Sequence, residues 1–290
     1  MPVTPTFDLQ SHSLQSDGEL SPAEVVRAAA AAGVELLALS DHDTVDGVDE
    51  ALAAALRHGV RLTPATELSA VQEDAVDVHI LGYEVDHRDV SFLDRLESFR
   101  ADRELRAERL VGLLEQLGFV LERAPVEQRR AAGKPIGRPH LAAAVLAHPD
   151  NAARLAAESL DDVGPFIEAY LIPGAPAYLP RLSPSVAEAI DAIHAAGGVA
   201  VWAHPFWDVD TDDEVLATID RFRALGVDGV EVFYPSHTRA HVDLLADRCA
   251  QLELLQTGST DFHGPGHGLF NRFRAFELYG REPVLGPIGA

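Results

Sequence analysis

Strand-length apolar runs separated by capped helical segments recur along this chain, and that alternation limits its fold more than any other feature. Thr6 to Gln10 reads as a strand. Ser21-Pro22-Ala23-Glu24 then opens a helix with a capping box and a proline at its first position, and Gly33 closes it. Glu35 to Ser40 is the next strand, a helix runs from about Asp46 to His58 with Gly59 as its stop, and strands follow near Arg61 to Pro64 and Val76 to Leu81. Late in the chain the rhythm resumes. Ser183-Pro184 opens a helix ending at Gly197-Gly198, followed by strand Val199 to Ala203, helix Thr211 to Leu225, strand Gly229 to Phe233, a helix to about Gln251 and strand Glu253 to Gln256. Such alternation predicts a parallel sheet or barrel, because parallel neighbours need a crossover long enough to hold a helix.

Between about Asp89 and Tyr178 the text is almost entirely helical, with a long charged amphipathic helix to about Leu117, a loop around Gly133 to Pro139, then two or three short helices. The expected organisation is a barrel from residues 1–88 and 179–290 with a helical subdomain, 89–178, inserted in it. No basic segment leads into an apolar one at the N-terminus and no apolar stretch reaches spanning length, which predicts no signal peptide, no membrane span and a cytoplasmic protein. A formal charge of -23 repels long polyanions and argues against a general duplex-binding role, so any nucleic-acid substrate is expected to be small or held locally. The single cysteine, Cys249, rules out an internal disulfide framework and thiolate-cluster zinc sites. Metal must then be bound through His, Asp and Glu.

Those residue types gather where strands end: His12 and Asp17 after the first, Asp41-His42-Asp43 after the second, Glu67 past the next, His79 within a later one, His204 after VAVWA, and Asp261 with His263 after the last. In a barrel of parallel strands the loops after the strands converge on one face, so these residues are expected to share a site. Carboxylate oxygens with imidazole nitrogens suit manganese, iron or zinc, and bridging carboxylates hold two ions about 4 Å apart to activate water and clamp a phosphoryl group. A single histidine has an ordinary reading. His58 and His194 fall in last helical turns, where positive charge is favourable. His87, His148, His241 and His267 have no stronger claim than a solvated surface. Recurrence after at least four strands is what capping and surface duty do not absorb.

The segments FDLQSHSLQSDGELSP, LLALSDHDTVDG, ATELSA, VHILGY, VWAHP, EVFYPSHT and GSTDFHG resemble, in order, the signature segments of the PHP (polymerase and histidinol phosphatase) superfamily, from Phe7 to about Gly264. GRPHLA and the helical insert are similar to those of its small phosphoesterases, which act on nucleoside 3',5'-bisphosphates or on 5' ends of short oligonucleotides. The resemblance implies an α/β fold, a distorted (β/α)7 barrel of the PHP type with an inserted helical subdomain, carrying two or three divalent metals, manganese first and iron or zinc as alternatives. By matched positions it implies His12, Glu67 and Asp261 around one metal, Glu67 bridging to a second held by His79 and His204, and Asp17, His42 and His263 forming a third. Asp41 and Asp43 would orient imidazoles. Arg138 and His140 from the insert, and Ser236 and His237 from YPSHT, would grip phosphate, with His237 or a metal-bound water protonating the leaving oxygen. One position departs: Gln10 stands where the pattern has the first histidine of His-x-His, and its neutral amide weakens the first metal site.

The function so implied is hydrolysis of a phosphate monoester of a small nucleotide, a nucleoside 3',5'-bisphosphate first, by metal-activated water. The alternatives are a 5' to 3' exoribonuclease on short RNA, a histidinol-phosphate phosphatase, or a nucleotide-binding protein with catalysis weakened by Gln10. The expected partner is a small phosphorylated nucleotide, with no long duplex and no membrane. Oligomeric state stays open.

Overall fold

The computed structural model describes residues 5–72, 77–131, 136–179, 184–209 and 211–290. In chain order the first half runs β1 (Phe7–Asp8), α1 (Pro22–Ala31), β2 (Leu36–Leu39), α2 (Val48–His58), β3 (Arg61–Val71) and β4 (Asp77–Tyr83). Five helices follow: α3 (Val90–Gln116), α4 (Arg123–Ala131), α5 (Arg138–Ala147), α6 (Ala152–Glu158) and α7 (Val163–Tyr170). The chain then continues through α8 (Val186–Ala195), β5 (Val199–Trp202), α9 (Pro205–Asp208), α10 (Asp212–Ala224), β6 (Gly229–Phe233), α11 (Arg239–Leu252) and β7 (Leu255–Gly258). Residues 1–96 with 184–290 form one compact unit, and 97–183 form a second. Among the described residues no helix is long and apolar enough to cross a membrane.

The first unit is a nearly closed barrel whose seven strands are hydrogen-bonded in sequence order. Local signals start its helices. Ser21 caps α1 with Glu24 answering in a capping box, and Gly59 ends α2 in the left-handed conformation, φ 69°. The two helices bury Val25, Val26, Ala51 and Ala54 against Leu37 and Leu39 of β2. Every residue of β6 is buried, as expected for a strand covered on both faces. Closure comes from the β1 and β7 extensions: the His12 N–H donates to the Phe262 carbonyl (2.8 Å), and the Phe262 N–H donates to that of Gln10 (3.2 Å). Beside this seam the buried Asp8 carboxylate accepts from the Thr260 N–H and hydroxyl (2.7 Å each) and the Arg274 N–H (2.8 Å).

The barrel expectation holds, but uniform parallel pairing fails at β4, which is antiparallel to both β3 and β5. The β3 to β4 connection is too short for a helical crossover, so the chain must turn straight back. This also explains why β3 extends well past Pro64: its first half pairs with β2 and its second half with β4. Val76, expected in that strand, lies outside the described residues, as do Gly133, Lys134 and Pro135 of the expected loop and Ser183 of the expected helix start. Ser185 is the N-cap of α8, its side chain and that of Glu188 completing the reciprocal box. Pro139 belongs to the first turn of α5 rather than to a loop. Strand β7 begins two residues late because Glu253 is the left-handed C-cap of α11, φ 57°.

The helical unit has its own apolar core, in which Leu110, Leu114, Leu141, Val145, Phe119, Phe166 and Tyr170 are buried together. Its aromatic centre is close-packed, with Phe119 edge-on to Phe166 (5.2 Å) and Tyr170 (4.8 Å).

Candidate metal centre

The strand ends of the barrel bring most of the expected ligands to one place. Glu67, buried in β3, divides its carboxylate between two sets of imidazoles. Its Oε1 lies 2.9 Å from His79 Nδ1 and 3.2 Å from His204 Nε2, which are themselves 3.3 Å apart. Its Oε2 lies 3.1 Å from His12 Nε2 and 3.4 Å from His42 Nδ1. His12 Nε2 is also 3.1 Å from Asp261 Oδ1. On the other edge of the same ring, Asp17 stands 3.6 Å from each of His12, His42 and His263. The three imidazoles around Asp17 stack, His12 lying 4.6 Å from His42 and 4.3 Å from His263 between ring centres.

This donor set fits divalent metal. Donor atoms about 2.1 Å from a shared ion stand about 3.0 to 3.4 Å from one another, which is the spacing around both oxygens of Glu67. Hydrogen bonding accounts for only part of it: Glu67 Oε1 pairs with His204 Nε2, whereas the buried atoms Glu67 Oε2, His12 Nε2, His42 Nδ1 and Asp261 Oδ1 have no hydrogen-bond partner. Native interiors leave few polar atoms so. His12, Glu67 and Asp261 form one ligand group, His42, Glu67 and His79 a second, and His12, Asp17, His42 and His263 a third with wider spacing.

Electrostatics agree with a site that gathers cations. Burial opposes ionisation of Glu67 and Asp261, yet the imidazoles around them outweigh it and hold both carboxyls below their usual range. Asp17 is lowered too, with His42, His12 and His263 overcoming its burial. Burial lowers His42 to about 4, leaving a neutral imidazole of the kind a metal needs. His12 moves the other way: burial, which lowers it, is outweighed by Asp261 and Glu67, which hold its pKa above the usual imidazole range.

Backbone placement is unusual at three of these strand ends. Asp43, His204 and Asp261 have positive φ of 55°, 29° and 58°. For His204, directly before Pro205, that conformation is doubly disfavoured and is held by the N–H bond to Glu231 Oε2 (2.9 Å). Glu231 also accepts from the Ser259 hydroxyl (2.6 Å), and burial raises its pKa to about 8. Gln10, fully buried, places Oε1 3.3 Å from the same Ser259 oxygen and leaves Nε2 without a partner.

The other expected site residues stand as follows in the fold. Asp41 orients no imidazole directly; its carboxylate accepts from the Ser13 N–H and hydroxyl (2.7 Å each) and the Ser16 hydroxyl (2.6 Å), fixing the turn that carries His12 and Asp17. Asp43 Oδ1 accepts from the Ser69 N–H (2.8 Å). His237 donates from Nδ1 to the Val232 carbonyl (2.9 Å), and burial lowers its pKa to about 4. At neutral pH its buried Nε2 is therefore an acceptor, which does not suit a proton donor to the leaving oxygen. Ser236 is exposed on the loop after β6. Arg138 and His140 stand in the first turn of α5 in the helical unit, where His140 Nδ1 accepts from the Gly137 N–H (3.0 Å). His267, read as solvated surface, stacks on His263 at 5.1 Å and lines the cavity beside the cluster.

Sequence reasoning also passed over Tyr234, whose hydroxyl donates to Asp261 Oδ2 (2.9 Å) and so leaves Oδ1 facing His12. Burial raises its pKa, keeping that donor protonated. Tyr234 follows β6 as the other site residues follow their strands, and that position was the signal available.

The PHP domain profile matches residues 8–168. The chain is 34% identical over 263 residues to a 5'-3' exoribonuclease of Haemophilus influenzae, covering 91% of this chain and 92% of that one. It is equally 34% identical to a 3',5'-nucleoside bisphosphate phosphatase of Chromobacterium violaceum, covering 90% and 88%. A crystal structure from Bifidobacterium adolescentis described as a metal-dependent phosphoesterase superposes with a TM-score of 0.73 at 30% identity, covering 98% of this chain and 94% of that one.

Proposed function

This chain belongs to the PHP domain family, and on that premise we propose that it is a metal-dependent phosphoesterase acting on a small nucleotide, first a nucleoside 3',5'-bisphosphate. The observation that carries the reading is the division of Glu67, one oxygen to His79 and His204 and the other to His12 and His42. Glu67 with His79 and His204 on one side and with His12 and His42 on the other would hold divalent cations, manganese being our first choice for a mixed oxygen and nitrogen set, and such cations would supply Lewis-acid activation of water and neutralise phosphoryl charge.

The chain's own residues prepare that chemistry. Glu67 fixes the spacing between the two imidazole sets, and Tyr234 keeps Asp261 turned toward His12. Asp41, through Ser13 and Ser16, holds the turn that presents Asp17. These contacts hold the candidate metal ligands in place, so the groups that would hold cations need no reorganisation as the reaction proceeds. Arg138 and His140 enter the proposal as phosphate-gripping residues on the strength of the family resemblance, and Arg138→Ala is expected to raise KM with metal content unchanged.

A second reading, stepwise release of 5' nucleotides from short RNA, is favoured by the equal identity to the Haemophilus enzyme. The formal charge of -23 separates the two. Long RNA meets repulsion over a Debye length of about 8 Å at physiological salt, whereas a mononucleotide leaves few charges outside the site. Release of inorganic phosphate and of mononucleotides is measured with added manganese, and with chelator, on a nucleoside 3',5'-bisphosphate, a dinucleotide and long RNA at low and moderate salt. Catalytic efficiency should fall in that order, with the penalty for length shrinking as salt rises. Efficient digestion of long RNA at low salt would replace the first reading by the second, and no metal-dependent release from any substrate would end both.

A further inference from the structure

The wall of the cavity beside Glu67 changes character with distance from the cluster. Its lining joins the buried Glu67 and His204 and the exposed Trp207, with His267 and Phe270 beside them. The rings form a continuous series. His12 stacks on His263 at 4.3 Å, His263 on His267 at 5.1 Å, and His267 on Phe270 at 5.2 Å with planes 13° apart; Trp207 then stands 5.7 Å from Phe270.

Trp207 is 54% exposed, whereas Trp202, the other tryptophan, is fully buried. A large aromatic left open at the edge of an otherwise polar site is the informative kind of exposure. The platform is built rather than loose. Nδ1 of His267 accepts from the N–H groups of Leu269 (3.3 Å) and Phe270 (3.0 Å), so in the neutral ring the proton sits on Nε2. The His267 carbonyl accepts from the Asn271 amide (2.9 Å), and the Phe270 carbonyl accepts from the His263 N–H (2.9 Å). On the opposite side one strained turn places two residues at once: His204, at φ 29°, faces Glu67, and three residues later the Trp207 N–H bonds back to the His204 carbonyl (2.8 Å).

The cavity itself, about 160 Å³, is smaller than the roughly 300 to 1,000 Å³ that encloses a whole drug-sized ligand. It has room for a phosphoryl group, and the remainder of a nucleotide must lie along the rim. Resting on the phosphoesterase reading above, we propose that Trp207, backed by Phe270 and His267, is the nucleobase platform, stacking on the base of a nucleotide whose phosphate occupies the Glu67 end. Stacking on an aromatic face tolerates any base, so the platform selects nucleotides over sugar phosphates without selecting among bases.

The test compares affinities of the manganese-loaded protein for adenosine 5'-monophosphate and for ribose 5-phosphate by calorimetry, in the wild type, Trp207→Ala and Trp207→Phe. Base stacking is worth about 1 to 3 kcal/mol per base, so the wild type should prefer the nucleotide by about 5- to 150-fold. Trp207→Ala should erase that preference and Trp207→Phe should keep most of it. Nucleotide binding should also quench the fluorescence of Trp207 above the constant signal of Trp202. An unchanged nucleotide-to-sugar ratio in Trp207→Ala, or an equal loss for both ligands, overturns the platform. Phosphate release by the wild type separates the two readings. A protein that hydrolyses nucleotides but ignores Trp207→Ala loses the platform alone, and one that discriminates through Trp207 yet releases no phosphate loses the phosphoesterase reading alone.

Discussion

The barrel unit and the helical unit are parts of one chain and each has an apolar core, yet they differ in the polar groups buried beside it. The barrel buries Asp8, Gln10, His12, Asp41, Glu67, Glu231 and Asp261 among its strands, and several of their polar atoms lack hydrogen-bond partners. Among the described residues of the helical unit, Asn151 is the buried polar residue, and its amide is satisfied: Oδ1 accepts from the Val120 N–H (3.0 Å), while Nδ2 donates to the carbonyls of Val120 (2.6 Å) and Val145 (2.7 Å). Charge in that unit lies outside, as in Arg154, which covers the Phe119 ring at 3.9 Å while bonding Glu158. Unpaired buried polar groups are costly, so a region that keeps many of them is held for chemistry, while one that removes them is held for packing. The difference locates the site without reference to any relative.

Five substitutions break or sharpen that contrast. The largest effect is expected from Glu67→Gln, which keeps the shape of the side chain but removes the shared anion. Metal content by elemental analysis should drop, and phosphate release should fall on the order of 10³-fold, since such ions contribute several kcal/mol to the barrier. Full metal content in this variant would remove Glu67 from the centre. Phe166→Ala attacks the other region. Deleting this fully buried ring should cost about 3 to 5 kcal/mol in denaturant unfolding while leaving the metal content of the folded protein unchanged. Loss of metal instead would mean that the two regions are not separable as described.

Acid sensitivity should reside in the barrel. His237 has a folded pKa of about 4 against an ordinary 6.5, so the unfolded chain takes up a proton that the folded chain refuses. Its contribution, about 3 kcal/mol, is complete above pH 6.5 and is lost as pH falls toward 4. Burial lowers His42 in the same direction, so His237→Gln should flatten, not abolish, the slope of unfolding free energy in that window. An unaltered slope counts against the buried neutral ring.

Gln10→His should tighten manganese binding on the order of tenfold, because an imidazole replaces a weaker neutral amide. Equal affinity in both proteins would show that Gln10 serves the Ser259 network alone. The smallest effect belongs to Arg130→Ala on the helical surface, where Glu104 (3.0 Å) and Glu108 (3.9 Å) lose a partner. Stability should change by less than about 1 kcal/mol, and a larger loss would mean that this exposed pair carries more than such pairs usually do.

Much of the molecule was legible in the sequence wherever the signal and its effect are a few residues apart. The capping box at Ser21 and Glu24, the stop at Gly59 and the strand Gly229–Phe233 stand where local rules put them. The ligand types were legible for the same reason, as His, Asp and Glu following successive strands. His267 and Trp207 were not, because nothing within a few residues distinguishes a surface ring from one that lines a cavity.

By itself, then, the sequence determined the chemistry available and most element boundaries: which groups can donate to metal, the acidic net charge, and where helices start and stop. Tertiary structure alone decided that β4 pairs with both β3 and β5 and runs against them, and that Glu67 gives one oxygen to each imidazole set. It also set Gln10 against Ser259, 249 residues away. The physical reason is range. Capping and periodicity act within one or two turns of chain, whereas the partner of a buried polar atom is fixed only when the barrel closes and brings distant strand ends within hydrogen-bonding distance.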